Sequence, residues 1–321
     1  MTLGEWVENS VKRFGRDGAA TGVYGAVQEL YEGGLGKIGE HIYNYGTPVW
    51  EKEWDVLVVL DTCRPDLLAE VSEEYDFLSG YNPERDRINS VGSRSPEWIR
   101  KTFDPDEHGE ELEKTAYVSA NPHTRDIPDP DALYLIDEVW KYAWDVNWGN
   151  VPPENLTDRA VAIGRKHDAE RLIVHYMQPH APYRTFVQEH PEWYSLTVGM
   201  DNPDDRPEMN MWERLRTGRL TVDETWRAYR DTLRWVLNSG VAPLLENIDG
   251  TVAVTSDHGE GFGDWWYYGH STPAPIPPLK RVPWATTEAS DSGELDPEIE
   301  PEATRLSDRE VEDRLAALGY R

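Results

Sequence analysis

Residues 252–270 read VAVTSDHGEGFGDWWYYGH, and this stretch decides the fold. It begins inside a short run, 251–255, that is rich in β-branched residues and favours a buried strand. Asp257 and His258 follow one residue after that run. Ligands of open parallel sheets bind beyond the carboxyl ends of the strands, so polar side chains at this position indicate a site.

Two other apolar runs end in the same way. Residues 56–60, VLVVL, are followed by Asp61, and residues 172–174, LIV, lead to His175 and His180. The predicted strands are 55–60, 116–119, 172–176 and 251–255. Three separate strands therefore carry Asp or His to one edge of the predicted sheet.

Helical patterns separate these strands. The clearest is 221–247, which opens with Thr221 and Glu224 at the spacing of a capping box, and further helices are predicted over 131–144 and 155–167. Strands that alternate with helices favour an α/β fold with a mostly parallel central sheet and helices on both faces.

The chain is predicted to divide into four segments. They are an N-terminal helical extension over 1–50, an α/β catalytic domain over 51–272, an acidic proline-rich strap or linker over 273–306, and a C-terminal helix over 307–321. The strap prediction rests on many Pro, Glu, Asp and Ser residues with few apolar ones. Ser307 and Glu310 form a second capping-box pattern, which predicts the last helix.

The composition is strongly acidic. The chain holds 60 acidic and 32 basic residues, a net charge of −28, and only 8 of the basic residues are Lys. The negative electrostatic field of such a chain repels nucleic acid and anionic membranes, so neither is expected as a partner. Concentrated salt screens the self-repulsion of an acidic surface, so we predict a halophilic protein.

Cys63 is the one cysteine, which excludes an intrachain disulfide and a zinc site made of several cysteines. No apolar run approaches the roughly 20 residues of a transmembrane helix, and we find no signal-peptide pattern. The cytoplasm is the expected location, and a homo-oligomer is left open.

The residue types at the predicted sheet edge suit a divalent metal ion. A single Asp after a strand more commonly caps a helix or turns a loop, but Asp61, Asp257 and His258 together form a mixed set of metal ligands. Carboxylate and imidazole favour Zn²⁺ or Mn²⁺, while Mg²⁺ or Ca²⁺ prefer oxygen alone, so the metal identity stays open. His175 is either a further ligand or a satisfied core histidine.

Residues 252–270 resemble the signature of the sulfatase-like branch of the alkaline phosphatase superfamily, in a form that we predict to be haloarchaeal. That signature has a strand ending in Ser-Asp-His-Gly and a Gly-His pair further on. The resemblance implies that Asp257 and His258 bind metal, and that His270 binds a second metal or an ester oxygen. Asp61 resembles the first metal ligand of the family.

A second segment supports the resemblance. Residues 175–183, HYMQPHAPY, resemble the Pro-His-x-Pro segment of the family, which makes His180 a candidate substrate or metal contact. Arg64, beside Asp61, can pair with phosphate or sulfate oxygens through its guanidinium, although a surface ion pair is the alternative.

The family also places a nucleophile at the start of a helix after the first metal ligand. Residues 90–98, SVGSRSPEW, occupy that position, with Ser93 and Ser95 as contenders. Because Ser95 before Pro96 has the sequence of an N-cap, we favour Ser93.

Two features depart from the family pattern. Formylglycine-dependent sulfatases carry a Cys-x-Pro-x-Arg motif, whereas Cys63 lies in Cys-Arg-Pro-Asp. The two-metal members carry an Asp-x-x-x-His pair, and residues 201–205 have no His at that offset. We therefore expect one metal, or a weak second site completed by His180 and His270. Sulfatase-like proteins with a Ser or Thr nucleophile, such as phosphoglycerol transferases, are the nearest likeness.

These observations predict a metal-dependent hydrolase or transferase of phosphate or sulfate esters with a serine nucleophile. Residues 265–268, WWYY, lie between the two metal motifs and could stack on a sugar, so the ester of a glycan or glycolipid is the candidate substrate. The alternative is a catalytically inactive protein of this fold that binds a ligand or partner in a glycan-assembly or cell-surface pathway.

Overall fold

The structure, a computed structural model, describes residues 19–41, 45–193, 210–301 and 306–319. The acidic stretch 201–205, in which the sequence analysis found no Asp-x-x-x-His pair, lies outside the described residues.

Ten strands form within the described residues. They are β1 Val56–Leu60, β2 Arg87–Asn89, β3 Thr115–Ser119, β4 Leu135–Glu138, β5 Arg171–Tyr176, β6 Gly250–Thr255, β7 Gly261–Phe262, β8 Tyr268–Gly269, β9 Arg281–Pro283 and β10 Ala285–Ala289.

A six-stranded sheet in the order β10-β6-β1-β5-β3-β4 forms the centre of the molecule. All of its pairs are parallel except the edge pair of β10 with β6. Helices surround the sheet, so the predicted α/β class with a mostly parallel sheet is confirmed. Because β5 and β6 flank β1, residues that follow these three strands meet at one edge of the sheet.

The described helices lie between and around these strands. They are α1 Ala19–His41, α2 Pro65–Val71, α3 Ser95–Thr102, α4 Pro105–Leu112, α5 Pro153–Lys166, α6 Arg184–Glu189, α7 Met211–Arg216, α8 Val222–Val236, α9 Ala242–Leu245, α10 Pro277–Lys280 and α11 Asp308–Ala317.

Strand β1 is buried on both faces, as a central parallel strand must be. Val56, Val58 and Leu60 belong to the larger core, which contains residues of α2, α5 and α8. Leu57 and Val59 belong to a second core with Trp98, Ile99 and Phe103 from the region of α3. The sheet thus separates two apolar layers, which leaves the ends of its strands as the positions for polar side chains.

The predicted helix over 221–247 is confirmed in its capping and largely in its extent. Thr221 and Glu224 form the reciprocal capping box, and α8 continues through a π-helical segment, Leu237–Val241, into α9. The capping box of Ser307 and Glu310 likewise begins α11.

The helix predicted over 131–144 is wrong. This region forms β4, which pairs in parallel with β3, between two 3₁₀ turns, Pro130–Ala132 and Val139–Lys141. Hydrogen bonding at the sheet edge and the burial of Trp140 outweigh the helical pattern of this segment.

Part of the segment that we interpreted as a strap joins the main sheet. Strand β10 pairs antiparallel with β6, and β9 pairs with β2. β10 lies on the edge and alternates half-buried with exposed residues, which explains its weak apolar signal. No helix among the described residues has the length and apolarity needed to cross a membrane.

Candidate metal and ester site

Asp61, Asp257 and His258 come together at the carboxyl edge of the sheet. All three are completely buried, and they form a group in which each offers one ligand atom within 4.8 Å of the others. His258 Nε2 lies 3.7 Å from Asp61 Oδ1 and 3.3 Å from Asp257 Oδ2. Asp61 follows β1 and the other two follow β6, its neighbour in the sheet.

The oxygen atoms that face His258 are those without donors. Asp61 Oδ1 and Asp257 Oδ2 are buried and have no hydrogen-bond partner among the described residues. Buried carboxylate oxygens without a donor or cation are costly, so their presence needs a cause. Three ligand atoms about 2.1 Å from a tetrahedral cation lie about 3.4 Å apart, close to the observed separations from His258. The residues therefore fit a divalent metal ion.

The tautomer of His258 is the one that a metal-binding histidine needs. Its Nδ1 lies 2.8 Å from the carbonyl oxygen of Gly259, which accepts the ring N–H and leaves the lone pair on Nε2. The same Nε2 is the atom that faces the two carboxylates.

The electrostatics of the group also suit a bound cation. Burial, and next the charge of Asp257, raise the pKa of Asp61 well above its usual range. Burial opposes ionisation of Asp257 as well, but His258, His175 and hydrogen bonds from Ser95 and the Thr62 amide together lower its pKa. Two buried carboxylates so close together do not both ionise readily without a cation.

His175, left open by the sequence, is held as a donor. Ser119 donates to the Tyr117 hydroxyl, which lies 2.8 Å from His175 Nδ1 and donates to it. Nε2 then carries the ring proton, 3.6 Å from Asp61 Oδ2 and 3.9 Å from Asp257 Oδ2. Burial lowers the pKa of His175 to about 4, so the ring is neutral at neutral pH. Its N–H dipole faces the carboxylates, and no lone pair is offered to a metal.

Ser95 is the serine that lies next to Asp61 and His258. It is the first residue of α3, and its Oγ lies 3.1 Å from Asp61 Oδ2 and 3.2 Å from His258 Nε2. The interpretation of Ser95 as an N-cap is wrong, because Arg94 is the cap residue and makes no side-chain cap. The Ser95 hydroxyl turns toward the buried carboxylate instead.

Ser93, the serine favoured by the sequence analysis, has different partners. Its hydroxyl and its amide both donate to Glu97 Oε2 at 2.9 Å. Glu97 is itself buried and accepts from Lys101 at 2.7 Å. This network shapes the turn that leads into α3.

His180 and His270 form a second cluster next to the first. Their Nε2 atoms are 3.2 Å apart, and the ring of His270 lies 4.6 Å from the ring of His258 between centroids. Glu260 contacts His270 Nδ1 at 2.9 Å. Burial, together with the charge of His270, lowers the pKa of His180. The cluster thus lies directly beside His258.

Arg64 forms an ion-pair network. Its guanidinium lies 2.6 Å from Asp66 and 2.7 Å from Asp264, and it donates to the carbonyl oxygen of Glu260 at 3.1 Å. Burial opposes the charge, but hydrogen bonds with Asp66 and Asp264 outweigh it and raise the pKa of Arg64. Through Asp264 and the Glu260 carbonyl, Arg64 thus stabilises the segment that follows β6.

Asn121 is a site residue that the sequence analysis missed. Its Nδ2 donates to Asp61 Oδ2 at 2.8 Å, and its Oδ1 accepts the His123 amide at 2.8 Å. It lies two residues beyond β3, so the rule that singled out polar residues after strands would have found it.

Tyr229 was also missed, and no local signal marks it. Thr62, next to Asp61, has a positive φ of 65°, an unusual conformation for a β-branched residue. The Tyr229 hydroxyl donates to the Thr62 carbonyl at 2.5 Å and accepts from the Arg64 amide at 3.2 Å. A residue of α8 thus fixes the turn that presents Asp61.

Comparisons with known proteins find similarity only to solved structures. No family model matches the chain, and no curated protein matches it. The soluble domain of lipooligosaccharide phosphoethanolamine transferase A from Neisseria meningitidis is 18% identical over 71% of this chain and 75% of that one, with a TM-score of 0.41.

Two further solved structures show a comparably low sequence identity. The integral membrane form of that transferase is 15% identical over 90% of this chain and 60% of that one, with a TM-score of 0.48. The C-terminal periplasmic domain of phosphoethanolamine transferase EptC from Campylobacter jejuni is 18% identical over 72% of this chain and 78% of that one, with a TM-score of 0.46.

The architecture seen here is an α/β fold, a mixed and mostly parallel sheet with helices around it. The solved neighbours are too distant to transfer an activity, substrate or ligand to this chain.

Proposed function

We propose that this chain is a metal-dependent hydrolase or transferase of phosphate or sulfate esters, with Ser95 as its nucleophile. The observation that carries the proposal is the position of Ser95 Oγ, within 3.2 Å of both Asp61 and His258 at the first residue of a helix. A helix N-terminus favours an anionic group, so an ester bound there would meet the serine.

Asp61, Asp257 and His258 would hold the cation. A divalent metal at this position would polarise the ester and favour the ionised form of the serine hydroxyl. Asp61 accepts from Ser95 and Asn121 through one oxygen, so the carboxylate orients the serine while its other oxygen stays available. The mixed ligand set favours Zn²⁺ or Mn²⁺.

His180 and His270 would contact the ester. Glu260 holds His270 through Nδ1, and His180 Nδ1 contacts the carbonyl oxygen of Ala181, so the two Nε2 atoms face each other. A proton on one ring supplies a donor for an anionic oxygen. Arg64 is a weaker candidate for this role because Asp66 and Asp264 already engage its guanidinium.

A glycan or glycolipid ester is the narrower candidate. Trp265 is 59% exposed on the segment between Glu260 and His270 and could stack on a sugar ring. Halophily and a cytoplasmic location remain predictions from composition. The segment boundaries predicted from the sequence remain predictions as well.

The test compares two serines in the same turn. The protein is purified in high salt, its metal content is measured, and it is assayed with p-nitrophenyl phosphate, bis(p-nitrophenyl) phosphate, p-nitrophenyl sulfate and a p-nitrophenyl phosphoethanolamine diester. We expect near-stoichiometric metal in the wild type, retained in Ser95→Ala with activity lost by about 10³-fold or more. Ser93→Ala is the matched control and should keep most of the activity.

Other outcomes reject parts of the proposal. Equal loss in both serine variants would remove Ser95 as the nucleophile. Metal bound without turnover of any ester would support a binding protein on this fold. Failure to bind Mn²⁺, Zn²⁺, Mg²⁺ or Ca²⁺ would reject the metalloenzyme.

A further inference from the structure

A cavity beside the candidate site has no part in the proposed metal and serine chemistry. Its volume is about 260 Å³, and it lies between the start of α2, the segment before β2, α10 with β9, and the 3₁₀ turn Asp264–Trp266. Among the described residues, three arginines, three carboxylates, four prolines and Trp265 line it. Arg64 connects the two places, because it lines the cavity and also donates to the carbonyl oxygen of Glu260, whose side chain contacts His270.

Trp265 is held at this cavity in an unusual backbone conformation. It is 59% exposed and has a positive φ of 54°, and Trp266 follows with a positive φ of 56°. Bulky residues rarely adopt such angles, and strain of this kind clusters where proteins hold ligands. Trp266 packs against Tyr24 of α1 and donates to its hydroxyl, while Arg64 pairs with Asp264, the first residue of the turn. The fold thus holds an exposed indole at the cavity.

The charges of the lining leave one arginine available to a ligand. Arg64 and Arg87 each form ion pairs with carboxylates of the same lining. Arg281 is exposed on β9, and among the described residues its guanidinium has neither an ion pair nor a hydrogen bond. A guanidinium pairs well with a planar anion such as a carboxylate, through two parallel hydrogen bonds. The cavity therefore offers one position for a single negative charge.

The rest of the lining suits a sugar ring. An indole face can bind the apolar C–H face of a pyranose, and the ion-paired carboxylates and guanidiniums offer acceptors and donors to its hydroxyl groups. The four prolines have a fixed φ, so this part of the wall loses little conformational freedom when a ligand binds. A polynucleotide also combines rings with anions, but the net charge of −28 repels it.

We propose that this cavity binds an acidic sugar, with the ring on Trp265 and the carboxylate on Arg281. The inference deepens the proposed function and rests on it for the choice of a glycan as the substrate. Because the segment after β6 lines the cavity and also carries His270, a glycan held here would lie beside the ester site. Binding of the sugar itself requires neither the metal nor Ser95, so it can be measured apart from turnover.

The experiment measures binding to the full chain by calorimetry in 1 M KCl with EDTA. The probes are tetramers of β-1,4-linked glucuronic acid and of β-1,4-linked glucose, which differ only in the oxidation of C6. We expect saturable binding of the acidic tetramer, about 10-fold tighter than that of the neutral one. Trp265→Ala should weaken the binding of both tetramers about 10-fold, and Arg281→Gln should remove only the preference for the acidic one.

Three controls separate binding from folding. Both replaced side chains are exposed, so urea unfolding of the two variants should match that of the wild type. Trp265→Phe keeps an aromatic face and should restore part of the affinity that the alanine variant loses. Arg85→Gln is the matched arginine control, because Arg85 is exposed before β2, pairs with Asp86 and lies outside the lining, and it should bind both tetramers as the wild type does.

Other results would overturn the inference. If the wild type binds neither tetramer, or binds both equally, the cavity takes no acidic sugar, even where an ester is turned over. Unchanged affinity in Trp265→Ala and Arg281→Gln would place the sugar elsewhere on the protein and overturn the inference as well. If the acidic tetramer binds as expected but no ester is turned over, the inference stands and the proposed function alone fails.

Discussion

Replacing Asp61 by asparagine should have opposite effects on the metal-free and metal-bound protein. The asparagine Oδ1 can accept from Ser95 and Asn121 as Asp61 Oδ2 does. Its NH₂ group then replaces Oδ1, the oxygen that has no donor among the described residues and lies 3.7 Å from His258 Nε2. A donor thus takes the place of an uncompensated acceptor.

The size of the effect in a chelator follows from this exchange. Leaving one buried polar group unsatisfied costs about 1–3 kcal/mol, so Asp61→Asn should raise the free energy of unfolding of the metal-free protein by about that amount. The gain should grow with pH. The pKa of Asp61 is raised in the folded state, so its contribution to stability is present at low pH and is lost as pH rises through that pKa.

With metal bound, the wild type should be more stable than Asp61→Asn. A ligand at 100 times its Kd stabilises a protein by about 2.7 kcal/mol, which corresponds to roughly 4 °C in Tm for a chain of this length. The wild type should show this shift on addition of Zn²⁺ or Mn²⁺, and Asp61→Asn should show little of it because a charged ligand is gone.

The assay is urea unfolding and thermal melting in 2 M KCl, with EDTA or metal, between pH 5.5 and 8.5. Asp66→Asn is the matched control, because that carboxylate pairs with Arg64 outside the metal group, and it should keep the full metal shift. A chelated Asp61→Asn protein less stable than the wild type by more than about 2 kcal/mol would refute the reasoning, as would an undiminished metal shift.

Three further predictions follow from other contacts. Asn121→Ala removes the amide that holds Asp61, so metal affinity measured by calorimetry should fall about 10–100-fold, whereas an unchanged affinity would exclude this orienting role. Tyr229→Phe leaves the Thr62 carbonyl and the Arg64 amide without their buried partner, which should lower the free energy of urea unfolding by about 1–3 kcal/mol; no change would show that the Thr62 turn holds without it. With a net charge of −28, the Tm of the chelated protein should rise as KCl increases from 0.1 to 2 M, and a flat or falling Tm would contradict the halophilic prediction.

Much of the sheet and the metal group could be predicted because both depend on local pattern. The apolar runs of β1 and β6 are long enough to stand out, and polar residues follow each directly. Parallel strands then bring Asp61 and Asp257 to the same edge whatever the loops do. Strand β10 escaped prediction because an edge strand with alternating exposure has no continuous apolar run.

The choice between Ser93 and Ser95 could not be made from sequence. Both lie in one turn, and the N-cap preference argued against Ser95. In the structure the Ser93 hydroxyl donates to Glu97, four residues further along the chain. The Ser95 hydroxyl instead donates to Asp61 at the edge of the sheet. Only the packing of α3 on the sheet decides which hydroxyl faces the carboxylate.

Four histidines near this edge receive different roles, and the partner of each Nδ1 sets the role. The Gly259 carbonyl accepts from His258, which leaves the Nε2 lone pair toward the carboxylates, as a metal ligand requires. Tyr117 donates to His175, which places the ring proton on Nε2 and makes the ring a donor.

The other two follow the same rule with carboxylate partners. Glu260 holds Nδ1 of His270, and Asp126 holds Nδ1 of His123, so a carboxylate fixes the orientation of each ring. His270 lies against His258, with 4.6 Å between the ring centroids. His123 lies next to Asn121, whose side chain accepts the His123 amide and donates to Asp61. The same residue type can therefore supply a candidate ligand, His258, and a donor, His175, at one edge of the sheet, because the partner of Nδ1 assigns each ring its tautomer.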